Sequence, residues 1–261
     1  MAKKPGWTAF PYPEKGYQYT ATSIKKAWDR LHRGDAEPAP KDAAVLDAWI
    51  AYHAGNFADA FELGVAAGAG GLNAANKAAC IYANYLEEDE KKKIKLFDEI
   101  AARCEKQQKD DPKNANAFYL HAYALGRYAQ GISIVKALKD GIGDKVKNSL
   151  AAAIRLAPKH ADAHIGLGTY HAEIIDKVGA MLGGLTYGAK KDTGVEMFEK
   201  ALKLNPDSAI ARIEMANGLI MMFGKGKARE AEKLYEDAAR CKPADAMERL
   251  DVEMAKAELE E

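Results

Sequence analysis

Small and large apolar residues recur at spacings of three and four in three phrases of the chain. These are Val146, Leu150 and Ala153 before Pro158; Gly194, Phe198 and Ala201 before Pro206; and Ala231, Tyr235 and Ala238 before Pro243. Residues so spaced share one face of an α-helix, and proline is expelled from helix interiors, so each phrase predicts a helix that stops at its proline. Between Pro40 and Pro112 there is no proline, and the last four stand 46, 48 and 37 residues apart. The run Leu150-Ala151-Ala152-Ala153-Ile154-Arg155-Leu156-Ala157-Pro158 is echoed by Phe198-Glu199-Lys200-Ala201-Leu202-Lys203-Leu204-Asn205-Pro206, which marks an internal repeat. The pattern predicts an all-α chain with helix pairs over 42–68, 73–109, 115–157, 161–204 and 209–241, and a closing helix over 244–258. That last helix carries Asp245, Glu248, Asp251, Glu253 and Glu258, with Glu260 and Glu261 beyond it, and is expected to form a polar end cap.

The phrase His164-x2-Leu167-Gly168-x2-His171 resembles the first-helix pattern of a tetratricopeptide repeat, and the Gly194 to Pro206 and Ala231 to Pro243 phrases resemble its second helix. Gly55-x-Phe57-x2-Ala60 looks like the turn and second-helix start of an earlier unit, whereas Ile100, Cys104 and Gln107 before Pro112 depart from the pattern. The resemblance implies a right-handed α-solenoid of about five stacked helix pairs. Small residues such as Gly168, Ala201, Ala231 and Ala238 stand where helices cross, and Leu167, Phe198 and Tyr235 fill the holes beside them. A tetratricopeptide unit has about 34 residues, so spacings of 46 and 48 leave a surplus in two consecutive repeats. The surpluses fall at 131–143 and 178–192, both apolar and punctuated by glycine. They read either as lengthened helices packing on each other or as a partner or membrane-edge patch.

Over about Ala115 to Leu250 the chain is similar to the tetratricopeptide-like proteins grouped with the regulator of microtubule dynamics family and the T component associated with TRAP transporters. The similarity rests on Ala117-Phe118-Tyr119-Leu120-His121-Ala122-Tyr123, Ala163-His164-Ile165-Gly166-Leu167-Gly168 and the Phe198 to Pro206 phrase. It implies a non-catalytic binding scaffold, in some relatives serving a solute importer.

The first residues differ from the rest. Trp7, Phe10, Tyr12, Tyr17 and Tyr19 alternate with Pro5, Gly6, Pro11, Pro13 and Gly16, which blocks a helix but is too aromatic for a plain disordered tail. The reading is an extended arm over 1–22, docked on this chain or on a second copy as a homo-oligomer contact. A short helix and linker follow over 23–40, with Trp28 and Leu31 inward, and the solenoid occupies 41–261.

Lysine plus arginine and aspartate plus glutamate each number 38 in 261 residues, so no overall field draws the chain to nucleic acid. Cys80, Cys104 and Cys241 show no metal or disulfide spacing, and the longest greasy window, Leu219 to Phe223, cannot span a bilayer. Met1 to Trp7 lacks a signal-peptide core, so a cytoplasmic location is expected unless a leader was removed. His160 and His164 share a helical face as metal ligands would, but they sit at a helix start. His164 and His171 fall on hairpin-core positions, and no serine or cysteine has a readable base beside it. Gly183 and Gly188 have phosphate-loop spacing, yet Ala189-Lys190-Lys191 replaces the required Lys-Ser/Thr. No metal and no cofactor are expected.

The first-helix slots that would form a carboxylate clamp hold Tyr119, Tyr123, Ile165, Thr169, Ile213 and Asn217, of which only Asn217 matches. The expected concave surface combines Asn116, Tyr119, Tyr123, Arg127, Thr169, Glu173, Glu214, Asn217 and Met221. Such a groove suits an extended protein or peptide partner, or alternatively a small amphipathic ligand of a transport-associated component. A metalloenzyme built on His121, His164 and His171 is the competing class, and the scaffold is the reading adopted.

Overall fold

In the computed structural model, described over residues 6–260 without the side chains of residues 134, 135 and 138, every regular element is a helix and no strand occurs among the described residues. After α1 (Ala21–Leu31) come the pairs α2 (Ala43–His53) with α3 (Phe57–Ala66) and α4 (Leu72–Tyr85) with α5 (Glu90–Asp110). α6 (Ala115–Gly131) pairs with α8 (Ile142–Leu156) across the short α7 (Ile134–Lys139), and α9 (Ala161–Val178) with α11 (Lys191–Leu204) across α10 (Ala180–Tyr187). α12 (Ala209–Phe223) and α13 (Ala228–Ala239) form the fifth pair, and α14 (Ala246–Glu258) follows. This is a tetratricopeptide-like solenoid.

Each proline stop is followed two residues later by a side chain that starts the next helix. Asn114, His160, Ser208 and Asp245 accept the backbone N–H of Ala117, Ala163, Ala211 and Glu248 at 3.1, 3.1, 3.1 and 2.8 Å. Each such cap satisfies a donor the helix cannot, contributing about 1 kcal/mol. A tight crossing surrounds the fully buried Phe198 of α11: a methyl group added at Gly168 of α9 or Gly218 of α12 would meet its ring at 2.8 and 2.6 Å. Both glycines are small because that ring already fills the space.

The amino-terminal segment docks on its own chain. Trp7 stacks on Tyr82 with ring centres 4.3 Å apart, and Phe10 packs edge-on to Phe57 over Gly55, whose φ of +83° brings the backbone close beneath the ring. Tyr17 is buried, and the Tyr19 hydroxyl donates to the Ala244 carbonyl at 2.8 Å. Residues 1–5 of the expected arm lie outside the described residues, as does Glu261 of the expected cap.

That last contact belongs to a closure the sequence does not announce. Arg30 donates two hydrogen bonds to Glu248, at 2.5 and 2.9 Å, and Arg33 bonds Asp207 at 2.7 Å. Ala246 and Leu250 of α14 share one hydrophobic cluster with Ile24, Trp28, Trp49 and Tyr52. The coil of repeats therefore bends until its last helix meets its first ones. This corrects the expected polar cap: Asp245 and Asp251 are only 1% and 2% exposed, held inward by His53 at 2.6 Å and the Tyr85 hydroxyl at 2.5 Å.

Candidate functional site

The inside of the coil was expected to be open. Instead, the turn between α1 and α2 reaches into it and blocks one end. Trp28 Nε1 donates to the Glu37 carbonyl at 2.8 Å, and the Gly34 carbonyl accepts the Asp162 N–H at 2.9 Å. Ala36 is held at φ +49°, the one non-glycine residue with positive φ among the described residues, a conformation that costs about 1 kcal/mol or more and so needs firm surroundings.

Those surroundings are a buried polar network. Lys77 of α4 donates to Asp35 at 2.5 Å, and His32 Nδ1 lies 2.9 Å from the other Asp35 oxygen. Burial opposes both charges of the pair, but their mutual attraction wins: Asp35 is held well below the usual carboxylate range and Lys77 above its own. Asn73 and Asn116 both donate to Glu37 Oε2, at 2.8 and 2.6 Å, and His160 Nε2 pairs with the Asn116 amide oxygen at 3.0 Å. Burial pushes His32 and His160 down to about 4, so both are neutral near pH 7.

Glu37 is the weak point of the network. Burial and the neighbouring Asp35 charge push it up to about 7 from 4.5, against the two asparagine bonds and Lys77. A carboxyl whose folded value lies above its unfolded value contributes fully at pH below 4.5 and loses that contribution as pH rises through 7. The swing is on the order of 3 kcal/mol. Glu37→Gln is therefore expected to gain stability relative to the parent at pH 8 compared with pH 5. Urea melts at the two pH values test this, and an equal difference at both would contradict it.

On the other side of the blocked end lies a chamber of about 340 Å³. Lys77, Asp162, Ile210, Met247 and Asp251 border both this chamber and a space of about 20 Å³ against Leu31, Gly34 and Asp35, so they form its floor. The walls are mostly apolar, with Ile81, Val146, Leu150, Ile165 and Ile174 among them, joined by Tyr85, Tyr119, Tyr123 and Tyr170. The exposed Gln130, Asp144, Lys177 and Thr186 stand at its open side, which Ala137 of α7 and Tyr187 of α10 also border. α7 packs on α8 and α10 on α9, while Met181, Leu182 and Leu185 of α10 point outward, 82%, 54% and 83% exposed.

Of the expected groove residues, Tyr119, Tyr123, Arg127, Thr169, Glu173 and Glu214 line the chamber. Arg127 donates to Glu214 at 2.9 Å and lies over the Tyr123 ring, Thr169 donates to the other Glu214 oxygen at 3.0 Å, and Gln130 donates to Glu173. The other three are elsewhere: Asn116 is tied to Asp35 and Glu37, Asn217 accepts the Tyr235 hydroxyl at 2.6 Å, and Met221 packs in the α9, α11 and α12 cluster. The histidines of the competing enzyme reading are separated. His121 pairs with Ser149, His164 donates to the Pro158 carbonyl and His171 accepts the Lys190 N–H, and no metal-holding group of three or more His, Cys, Asp or Glu occurs among the described residues. Among those residues, no helix is long and apolar enough to cross a membrane.

The sequence profile of the family described as regulator of microtubule dynamics protein 1-3 matches residues 72–261, well over half of the chain. The chain belongs to the regulator of microtubule dynamics family. The matched span begins at α4 and so includes Lys77, the chamber walls and α14. No curated protein sequence matches the chain. Among solved structures it is similar to a thermophilic TPR protein of Thermus thermophilus, with a TM-score of 0.57 and 17% identity over 82% of this chain and 97% of that one. It is also similar to YrrB, a TPR protein with an unusual peptide-binding site, with a TM-score of 0.43 and 14% identity over 91% of this chain and all of that one.

The floor of this family member's chamber went unseen in the sequence because its partners are far apart in the chain. Asp35 and Lys77 are 42 residues apart and His53 and Asp245 192. One local signal existed: Asn73, Asn76 and Lys77 interrupt the alanine-rich α4, and all three are buried. Polar residues on a helix with no exposed face require partners.

Proposed function

We propose that this protein is a non-catalytic binding protein whose chamber holds a small amphipathic ligand, the apolar body against the aliphatic and tyrosine walls and a polar end towards the floor. One observation carries the reading: the coil encloses about 340 Å³ of largely apolar space between the floor and the open side. That volume falls at the lower end of the roughly 300–1,000 Å³ range of small-molecule sites. An extended peptide running along the inside would meet Leu31 to Glu37, which already occupy that path. A protein partner fits the outer rim better, where α10 turns Met181, Leu182 and Leu185 to solvent.

Gly126 of α6 supplies the test. It lines the chamber, and a methyl group added there has no atom within 4 Å, so a larger side chain fills the space without disturbing the walls. Gly126→Leu also removes a helix-interior glycine, which favours the fold by about 1 kcal/mol. The variant is expected to melt at or above the parent temperature and to bind the apolar dye N-phenyl-1-naphthylamine at least tenfold more weakly in fluorescence titration. Equal dye binding by parent and variant would place the ligand elsewhere.

A further inference from the structure

The chamber's charges do not balance. Lys77 is bonded to Asp35 at 2.5 Å and Arg127 to Glu214 at 2.9 Å, so each interior cation already has its own anion. Lys177, exposed at the open side, and Arg127 both act electrostatically on Glu173 of the wall. Two lining carboxyl groups remain without a cation of their own, Asp162 and Asp251 in the floor. Asp251 accepts the Tyr85 hydroxyl, a neutral donor. The Asp162 carboxylate lies against Gly34 and accepts no hydrogen bond from any described residue, although its backbone N–H is bonded to Gly34. The Tyr119 hydroxyl, also lining the chamber, has no hydrogen-bond partner among the described residues.

An acidic, apolar-walled space of this kind favours one ligand chemistry. A carboxylate or sulfate head would add a like charge to the floor, and a neutral head would leave the two floor carboxyl groups uncompensated. An ammonium supplies the missing charge and N–H donors for Asp162, and a tyrosine ring offers it a negatively polarised face. We infer that the chamber selects a cationic amphiphile, an alkyl-ammonium type of molecule whose head sits at Asp162 and Asp251 and whose hydrocarbon lies along Ile81, Leu150 and Ile165. This rests on the binding reading above and names the ligand class for that same site.

The burial of these groups points the same way. It pushes Asp162 up to about 6 and Asp251 well above the usual carboxylate range, and Glu173 is raised as well. The groups facing Asp162 are Lys77 of α4, Asp35 of the inserted turn and Glu248 of α14, and only the first is a cation. The empty floor therefore tends to hold protons that an arriving ammonium displaces. Cation binding is expected to strengthen as pH rises through about 6, where Asp162 gains its charge.

The test is a calorimetric series on the full chain with three probes of one chain length, decylammonium, decanol and decyl sulfate, each below its micelle concentration. At pH 7.5 decylammonium is expected to bind at least tenfold more tightly than decanol, and decyl sulfate more weakly than either. Lowering the pH to 5 should reduce the ammonium preference to under threefold. Asp162→Asn, nearly isosteric, should likewise reduce the ammonium-over-decanol ratio to under threefold at pH 7.5, and the parent series stands if that variant does not fold. Decyl sulfate or decanol binding as tightly as decylammonium in a manner lost in Gly126→Leu would overturn the charge preference and leave the binding reading intact. No binding by any of the three, or binding unchanged in Gly126→Leu, would overturn both.

Discussion

Lys77→Met is expected to destabilise the protein by about 3–5 kcal/mol at pH 7.5, the range for removing one partner of a buried ion pair. Lys77 and Asp35 are 7% and 1% exposed, and the methionine keeps the apolar stem of the lysine while deleting its charge. Asp35 would then keep only the neutral His32 and the Glu37 backbone N–H beside it, in a position from which water is excluded. Because Asp35 also anchors the turn that lies against the chamber floor, part of the loss should appear as loosening of residues 31–37. The double variant Lys77→Met with Asp35→Asn should recover most of the difference, since the uncompensated charge goes with it. Urea unfolding of the parent, the single and the double variant decides the matter. A single variant as stable as the parent, or a double variant no better than the single, would mean that the pair does not hold the floor.

The second large effect belongs to Phe198. Its ring is fully buried between Gly168 and Gly218, and neither glycine has a side chain that could move into the vacated space. Phe198→Ala is therefore expected to lose about 3–5 kcal/mol, the cost of the missing burial plus a cavity that does not collapse. For a chain of this size that corresponds to a fall in melting temperature of roughly 6–20 °C. Thermal unfolding followed by circular dichroism checks the value, and a loss under about 1 kcal/mol would mean that α9 and α12 close in despite the glycines.

The contrast between these two residues explains what the sequence made legible. Phe198 sits in a phrase whose spacing, Gly194 to Pro206, repeats elsewhere in the chain, so both its helix and its inward direction follow from local pattern. The same holds for the helix stops at Pro112, Pro158, Pro206 and Pro243. Lys77 and Asp35 carry no such pattern. Their meeting depends on how far the stack of repeats curves, a quantity summed over many small crossing angles, and no single spacing records it. Tyr119, Tyr123, Arg127, Thr169, Glu173 and Glu214 were readable as inner-face residues from repeat position alone. That Asn116 would be consumed by the inserted turn, and that Asp245 and Asp251 would face inward, required knowledge of that curvature.

The union of Arg30 with Glu248 and of Tyr19 with Ala244 has a consequence for how such a chain can change over generations. Ordinary repeat arrays lengthen or shorten by whole units, because each unit needs only its neighbours. Here a duplicated hairpin would drive the first and last helices apart by the width of a unit, and a deleted one would bring them into collision. Copy number is thereby locked, and inherited variation is confined to what each unit carries, above all the two oversized loops and the walls they border.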